Sequence, residues 1–148
     1  MKKEEFIEVL KRNNYLYEIQ GDKIIVTHDG YVDLGFLETI PPGVEFRNRG
    51  SVDLSDLKTI PPGVEFRNGG DVWLSALKTI PPGVEFKNGG HVNLRSLEVI
   101  HPGVEFRNGG NVYLGGILGG WLNRWEGNIE GVDGKRLLNL MTNKELFL

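Results

Sequence analysis

The chain has 148 residues, 39% of them hydrophobic, with a net charge of −3 and no cysteine. One domain of this length can bury a core, and the lack of cysteine excludes disulfides, thiolate metal sites and cysteine nucleophiles. Acidic and basic residues are interspersed, which excludes a broad basic face for nucleic acid, and no run of about 18 apolar residues is present to span a bilayer.

The first residues, Met1-Lys2-Lys3-Glu4-Glu5-Phe6, follow their lysines with acids where a secretion signal would continue with an apolar stretch. A cytoplasmic location, in a bacterial or phage-infected host cell, is expected. Residues 3 to 13 place Phe6, Ile7, Val9 and Leu10 at helical spacing with charges opposite, which predicts a capping helix. Tyr15 to Ile19, then Gly21-Asp22, then Lys23 to Val26 read as a hairpin. Its second strand aligns with the repeats that follow: Ile24-x-Val26-x-His28-Asp29-Gly30 matches Val44-x-Phe46-x-Asn48-x-Gly50. The strand is therefore a degenerate half repeat, with His28 at a structural corner.

From residue 31 a unit recurs every 20 residues. Its first half reads V-x-L-x-x-L-x-x-I at Val32–Ile40, Val52–Ile60, Val72–Ile80 and Val92–Ile100. The second half, P-P-G-V-E-F-R/K-N, starts at Pro41, Pro61 and Pro81 and returns at His101 with the first proline replaced. So short a period marks a solenoid whose units bury their apolar edges against one another. Pro-Pro-Gly and Asn-Gly-Gly predict two corners per coil, with the glycines of the second expected to supply positive φ. Between the corners, Val64-x-Phe66 and Val72-x-Leu74 alternate with period two and predict strands with these four side chains inward. Leu77 and Ile80 follow at a spacing suited to an extended or 3₁₀-like return. At the usual inter-strand spacing the coils would make a rod about 20 to 25 Å long, with valine, phenylalanine and asparagine stacked in columns. Asn48, Asn68, Asn88 and Asn108 are expected to bond the backbone of their turns.

These motifs resemble short bacterial leucine-rich repeats, as in Val72, Leu74, Leu77, Ile80, Pro81 and Val84, over residues 31–118. The asparagine column lies in the other half of the unit from the usual pattern, and Leu57 and Leu77 stand where that pattern has Asn or Cys. A mainly β, short leucine-rich-repeat-like β-solenoid of about four to five coils is therefore expected, flatter than a horseshoe. The resemblance implies protein–protein recognition through exposed strand faces.

The pattern stops at Val112-Tyr113-Leu114, and Gly115, Gly116, Gly119 and Gly120 follow. Trp121, Leu122 and Trp125 read as a plug, and Lys135 to Leu146 as a final helix. The whole chain, 1–148, is then a single domain: an N-terminal cap of helix and hairpin over 1–30, the solenoid over 31–118 and a helical C-terminal cap over 119–148.

Catalytic and cofactor chemistry find no constellation. His28, His91 and His101 fall in different columns, and the Asn-Gly-Gly glycines open no predicted helix that could hold phosphate. Glu45, Glu65, Glu85 and Glu105 form a column, but Arg47, Arg67, Lys87 and Arg107 are expected to neutralise it on an exposed strand face. A threonine column, Thr39, Thr59 and Thr79, resembles the arrays of ice-binding solenoids but is one column wide and ends at Val99. No enzymatic activity, cofactor or metal is expected.

One face varies where the others repeat. Its columns run Tyr31, Ser51, Asp71, His91, Asn111 and Asp33, Asp53, Trp73, Asn93, Tyr113, with Arg95 alone among Gly35, Ser55, Ser75 and Gly115. Aromatic residues amid hydrogen-bonding groups are what protein interfaces concentrate at hot spots. The expected function is a non-enzymatic module that binds a protein partner through Tyr31, Asp33, Asp53, Asp71, Trp73, His91, Asn93, Arg95 and Tyr113, as a monomer or weak homo-oligomer. The alternatives are a phage-encoded inhibitor of a host or defence enzyme, such as a CRISPR nuclease, and a structural, self-assembling repeat protein.

Overall fold

A computed structural model describes residues 1–100 and 104–114 of the chain. The expected C-terminal cap, 119–148, lies outside the described residues. Helix α1 (Lys3–Arg12) is followed by the antiparallel hairpin β1 (Tyr17–Gln20) and β2 (Lys23–Val26). Strands β3 (Val32–Asp33), β4 (Val44–Phe46), β5 (Val52–Asp53), β6 (Glu65–Phe66) and β7 (Val72–Trp73) come next. The series continues through β8 (Thr79–Ile80), β9 (Glu85–Phe86), β10 (Val92–Leu94), β11 (Val99–Ile100), β12 (Glu105–Phe106) and β13 (Val112–Leu114). They stack as a β-solenoid of about four turns with three sides. One side is the six-stranded sheet β1-β2-β4-β6-β9-β12, one the five-stranded sheet β13-β10-β7-β5-β3, and one the pair β11-β8.

Every coil-to-coil pairing is parallel and places a residue on its equivalent 20 positions away, as in Phe46↔Phe66 and Val52↔Val72. The half repeat obeys the same register, with Ile24↔Val44 and Val26↔Phe46. His28 takes its corner place, since its carbonyl accepts the Arg49 N–H as that of Asn48 accepts the Gly69 N–H. Valine, leucine and isoleucine of both half units fill the interior, and Phe6 and Leu10 of α1 close its N-terminal end, fully buried. The four phenylalanine rings lie nearly parallel, with centroids 5.3, 5.2 and 4.9 Å apart. That offset stacking is what a one-rung step imposes on identical rings.

Three corners turn each coil, one more than the sequence predicts. The additional one separates the second and third sides, where the Leu37, Leu57, Leu77 and Leu97 N–H groups bond the carbonyls of Leu34, Leu54, Leu74 and Leu94 at 3.0–3.2 Å. It carries no proline and no recurring glycine, so its sequence gives little notice of it. At the Asn-Gly-Gly corner the expectation of positive φ fails: Gly43, Gly63 and Gly83 of Pro-Pro-Gly have it, together with Gly21 of the hairpin. Gly69, Gly89 and Gly109 are required instead by close approach, since a Cβ on each would collide with a carbonyl oxygen of the coil beneath. Arg49, which occupies this column one coil earlier, pairs its Nε with Asp29 Oδ1 at 3.0 Å.

The asparagine side chains hold that corner closed. Asn68 Nδ2 donates to the carbonyls of Gly50 in the preceding coil and of Gly70 and Asp71 in its own, at 3.1, 3.3 and 3.0 Å. Asn48, Asn88 and Asn108 repeat the arrangement. Three carbonyls around one atom fix the amide's orientation, because they can only accept. All four side chains are buried, and their Oδ1 atoms find no hydrogen-bond partner among the described residues. Asn68→Ala should cost about 2 kcal/mol by removing three buried hydrogen bonds and leaving a void at the corner, although each carbonyl keeps a backbone donor. The near-isosteric Asn68→Asp should cost more, because a buried carboxylate would face three carbonyl oxygens. Equilibrium denaturation of both variants checks the order.

Candidate functional site

The nine residues singled out in sequence all lie on or beside the outward face of the five-stranded sheet. Cross-strand register sets Asp33 against Asp53, Asp53 against Trp73, Trp73 against Asn93 and Asn93 against Tyr113. Tyr31 and Tyr113 are 45% and 43% exposed, and Trp73 is half-buried. The Tyr31 and Trp73 rings meet edge to face at 5.8 Å and 61°, two coils apart. His91 and Tyr113 form a second pair at 5.4 Å. Arg95 is exposed and lies in the next column. Phe36, at the third corner of the coil that contains Asp33, is an exposed apolar side chain that no repeat pattern singles out.

Much of this face also serves the fold. Asp33 Oδ1 accepts the Gly35 N–H at 3.0 Å, Asp53 Oδ1 that of Ser55 at 2.9 Å, and Asn93 Oδ1 that of Arg95 at 3.2 Å. Each is an Asx turn that starts the third corner. Ser55 also donates its hydroxyl to Asp53 Oδ1, and Tyr31 donates its own to Asp53 Oδ2 at 3.2 Å. Trp73 and Tyr113, in the same column, have no side-chain acceptor for this duty.

The neighbouring column has a different task. At the asparagine corner the nearby backbone carbonyls are already engaged: Gly50 O accepts the Gly70 N–H and both flanking asparagine amides, and Ser51 O accepts the Val32 N–H. The next N–H in line must therefore find a side chain. Asp71 N–H donates to Ser51 Oγ at 3.0 Å, His91 N–H to Asp71 Oδ1 at 2.7 Å and Asn111 N–H to His91 Nδ1 at 2.8 Å. Serine, aspartate and histidine look unrelated in sequence, yet all three offer an acceptor to the coil above. Ser51 and Asn111, which the sequence reading left outside the site, belong to this chain of bonds.

The sheet ends in a side-chain cap. Asp33 N–H donates to the Tyr15 hydroxyl at 2.9 Å, and the hydroxyl lies 3.4 Å from the Asp33 carbonyl as donor. One phenol thereby stands in for a missing strand at the edge. Tyr15 is itself held against the His28 ring at 4.9 Å.

Charge separates this face from the six-stranded one. There each glutamate of the repeat column has a cation: Glu45 with Arg47 and Arg67, Glu65 with Lys23 and Arg67, Glu85 with Lys87, Glu105 with Arg107. The expected solvated lattice holds at Glu105, but Glu45 is buried. Arg47 and Arg67 both pair with it, and Lys23 of β2 reaches Glu65 one coil further on. Hydrogen bonds to Glu45 and Glu85, supported by Lys23 and Arg67, hold the Glu65 carboxyl down at about 2. The bond shared with Glu65, together with burial, pushes Glu85 up.

On the five-stranded face Asp33, Asp53 and Asp71 have no ion pair among the described residues. Burial, followed by the charges of Asp53 and Asp33, pushes the Tyr31 phenol up to about 12. Among the described residues no cluster of three or more His, Asp or Glu side chains is placed to hold a metal ion, and no helix is long and apolar enough to cross a membrane. No protein-family model matches the chain, nor does any curated protein or solved structure.

Two titrations test these electrostatics. In an absorbance titration one phenol should ionise near pH 12, and Tyr31→Phe should remove that component. The unfolded chain releases the same proton near pH 10, so this contribution to stability is complete below about 10 and is lost as pH rises through about 12. Glu85→Gln leaves Glu65 a donor that no longer titrates. Relative to wild type it should gain about 0.5 kcal/mol once pH has risen through the raised Glu85 value, when two carboxylates would otherwise face each other. Thermal denaturation across that range measures the difference.

Proposed function

We propose that the chain is a non-enzymatic binding module that holds a protein partner against the outward face of its five-stranded sheet. The observation that carries this reading is the place of Trp73 and Tyr113. They share a column with Asp33, Asp53 and Asn93, each of which closes a corner of its coil, whereas the Trp73 indole closes none. The corner after Trp73 forms regardless through the backbone, Leu77 N–H to Leu74 O at 3.2 Å. The fold thus gives no reason for a tryptophan and a tyrosine there. Large, rigid rings with a polar edge, held in pairs beside hydrogen-bonding groups, are what interface hot spots use. The opposite charge pattern of the six-stranded sheet, where each glutamate of the repeat column has its own cation, suits a face that stays in water.

The double variant Trp73→Ala, Tyr113→Ala should fold with little loss, since both rings lie on the outward face of the sheet and neither belongs to the buried core. It should release a partner that the wild-type protein retains from a cell lysate, weakening affinity by about 2 kcal/mol or more. Equal retention of that partner by a variant shown to be folded overturns the reading.

A further inference from the structure

We infer that the Tyr31–Trp73 end of this face takes a cationic side chain, arginine or lysine, carried by an extended segment of the protein partner. The inference rests on the binding face proposed above and names the chemistry of what it binds.

The fold uses these positions for acceptors where they supply one, and has no use for negative charge. Asn93 closes its Asx turn with a neutral amide, as Asp33 and Asp53 do with carboxylates. Ser51 and His91 accept the N–H of the next coil without the carboxylate that Asp71 brings. In each column a neutral residue of this same chain performs the acidic residue's structural task. Three carboxylates nevertheless gather around one aromatic pair, and two of them, Asp33 and Asp53, face each other directly across neighbouring strands. Like charges so placed oppose folding.

No cation among the described residues relieves them. Arg95, the exposed cation of this face, makes no ion pair among the described residues and lies in the third coil beyond Asp33. Across the molecule the glutamate ladder is neutralised rung by rung, so the chain does supply counter-charges where its fold alone is at stake. What remains is a ring pair bordered by unpaired carboxylates. A guanidinium or ammonium group fits both parts, lying against the ring of Trp73 while its N–H groups reach aspartate oxygens. The strands give the face a flat, ladder-like surface along which an extended basic segment can place such a side chain.

The test uses end-blocked oligoarginine and oligolysine peptides, with oligoglutamate of equal length as control, titrated into the full chain and followed by NMR at the Tyr31 and Trp73 rings. Asp33→Asn, Asp53→Asn, Asp71→Asn together remove the charge and keep the Oδ1 acceptors of both Asx turns and of the Asp71 rung, giving up only the bond from the Tyr31 hydroxyl to Asp53 Oδ2. Both basic peptides should shift the two rings, oligoglutamate should not, and the triple variant should bind about tenfold more weakly with less dependence on salt. Asp33→Asn alone, at an exposed site with one intramolecular bond, should weaken binding about twofold and keeps the test decisive if the triple variant folds poorly. Absence of ring shifts, or shifts of equal affinity in the charge variants, overturns the inference. The ring variant's loss of its partner is a separate result, so the binding face can stand when the cationic ligand falls.

Discussion

Every residue of the solenoid lies on its own equivalent, one strand spacing away. This in-register repetition is the constraint from which the rest follows, because a side chain is acceptable only if it can live beside a copy of itself. Phenylalanine meets the condition by offset stacking at 4.9–5.3 Å. Asparagine meets it differently: each amide reaches back one coil to a glycine carbonyl, so the column is tied by its own repetition. Glycine after it is demanded by the same closeness, since a Cβ would strike the backbone beneath. Glutamate meets the condition worst, and its ladder holds only because arginine and lysine interleave and neighbouring carboxyls share hydrogen bonds. Each column is thus a different answer to one spatial problem.

Repetition must also stop, and the N-terminal end shows how. The six-stranded sheet ends in an antiparallel strand, β1, and the interior is closed by Phe6 and Leu10 of the helix. At the five-stranded sheet a single phenol suffices: the Tyr15 hydroxyl serves as both acceptor and donor to the Asp33 backbone. These devices also explain why the first coils differ in detail. Glu45, set across from Ile25 of the cap hairpin and paired with Arg47 and Arg67, is buried where its equivalents are partly open. Tyr31, at the start of its column, sends its hydroxyl sideways to Asp53.

The stacking register, the inward residues and the half repeat at Ile24–His28 were legible in sequence, because identical copies expose period and facing at once. What stayed hidden has a common cause. Letters report identity, whereas the backbone selects for capacity. Ser51, Asp71 and His91 share nothing as letters and one thing as chemistry, an acceptor at the same point in space. The third corner was obscured likewise, since Asp, Asn or a bare backbone turn can start it without proline or recurring glycine. The glycines of Asn-Gly-Gly were recognised as a corner, but their cause lies in a carbonyl of the coil below, which no local reading reaches.

That distinction between identity and capacity changes what variability on this face means. A column free to vary within the set of acceptors is not free of structural duty, so variation by itself says little about binding. Information lies in what exceeds the duty: rings where no acceptor is supplied, and charge where a neutral acceptor would serve. Trp73 and Tyr113 exceed it in the first way, and Asp33, Asp53 and Asp71 in the second. Because the fold is indifferent to these excesses, or mildly opposed to them where Asp33 faces Asp53, they can change without disturbing the rungs. A solenoid of this kind therefore keeps its architecture in the backbone ladder and its corner acceptors, and leaves the charge and aromatic content of one face free of that duty.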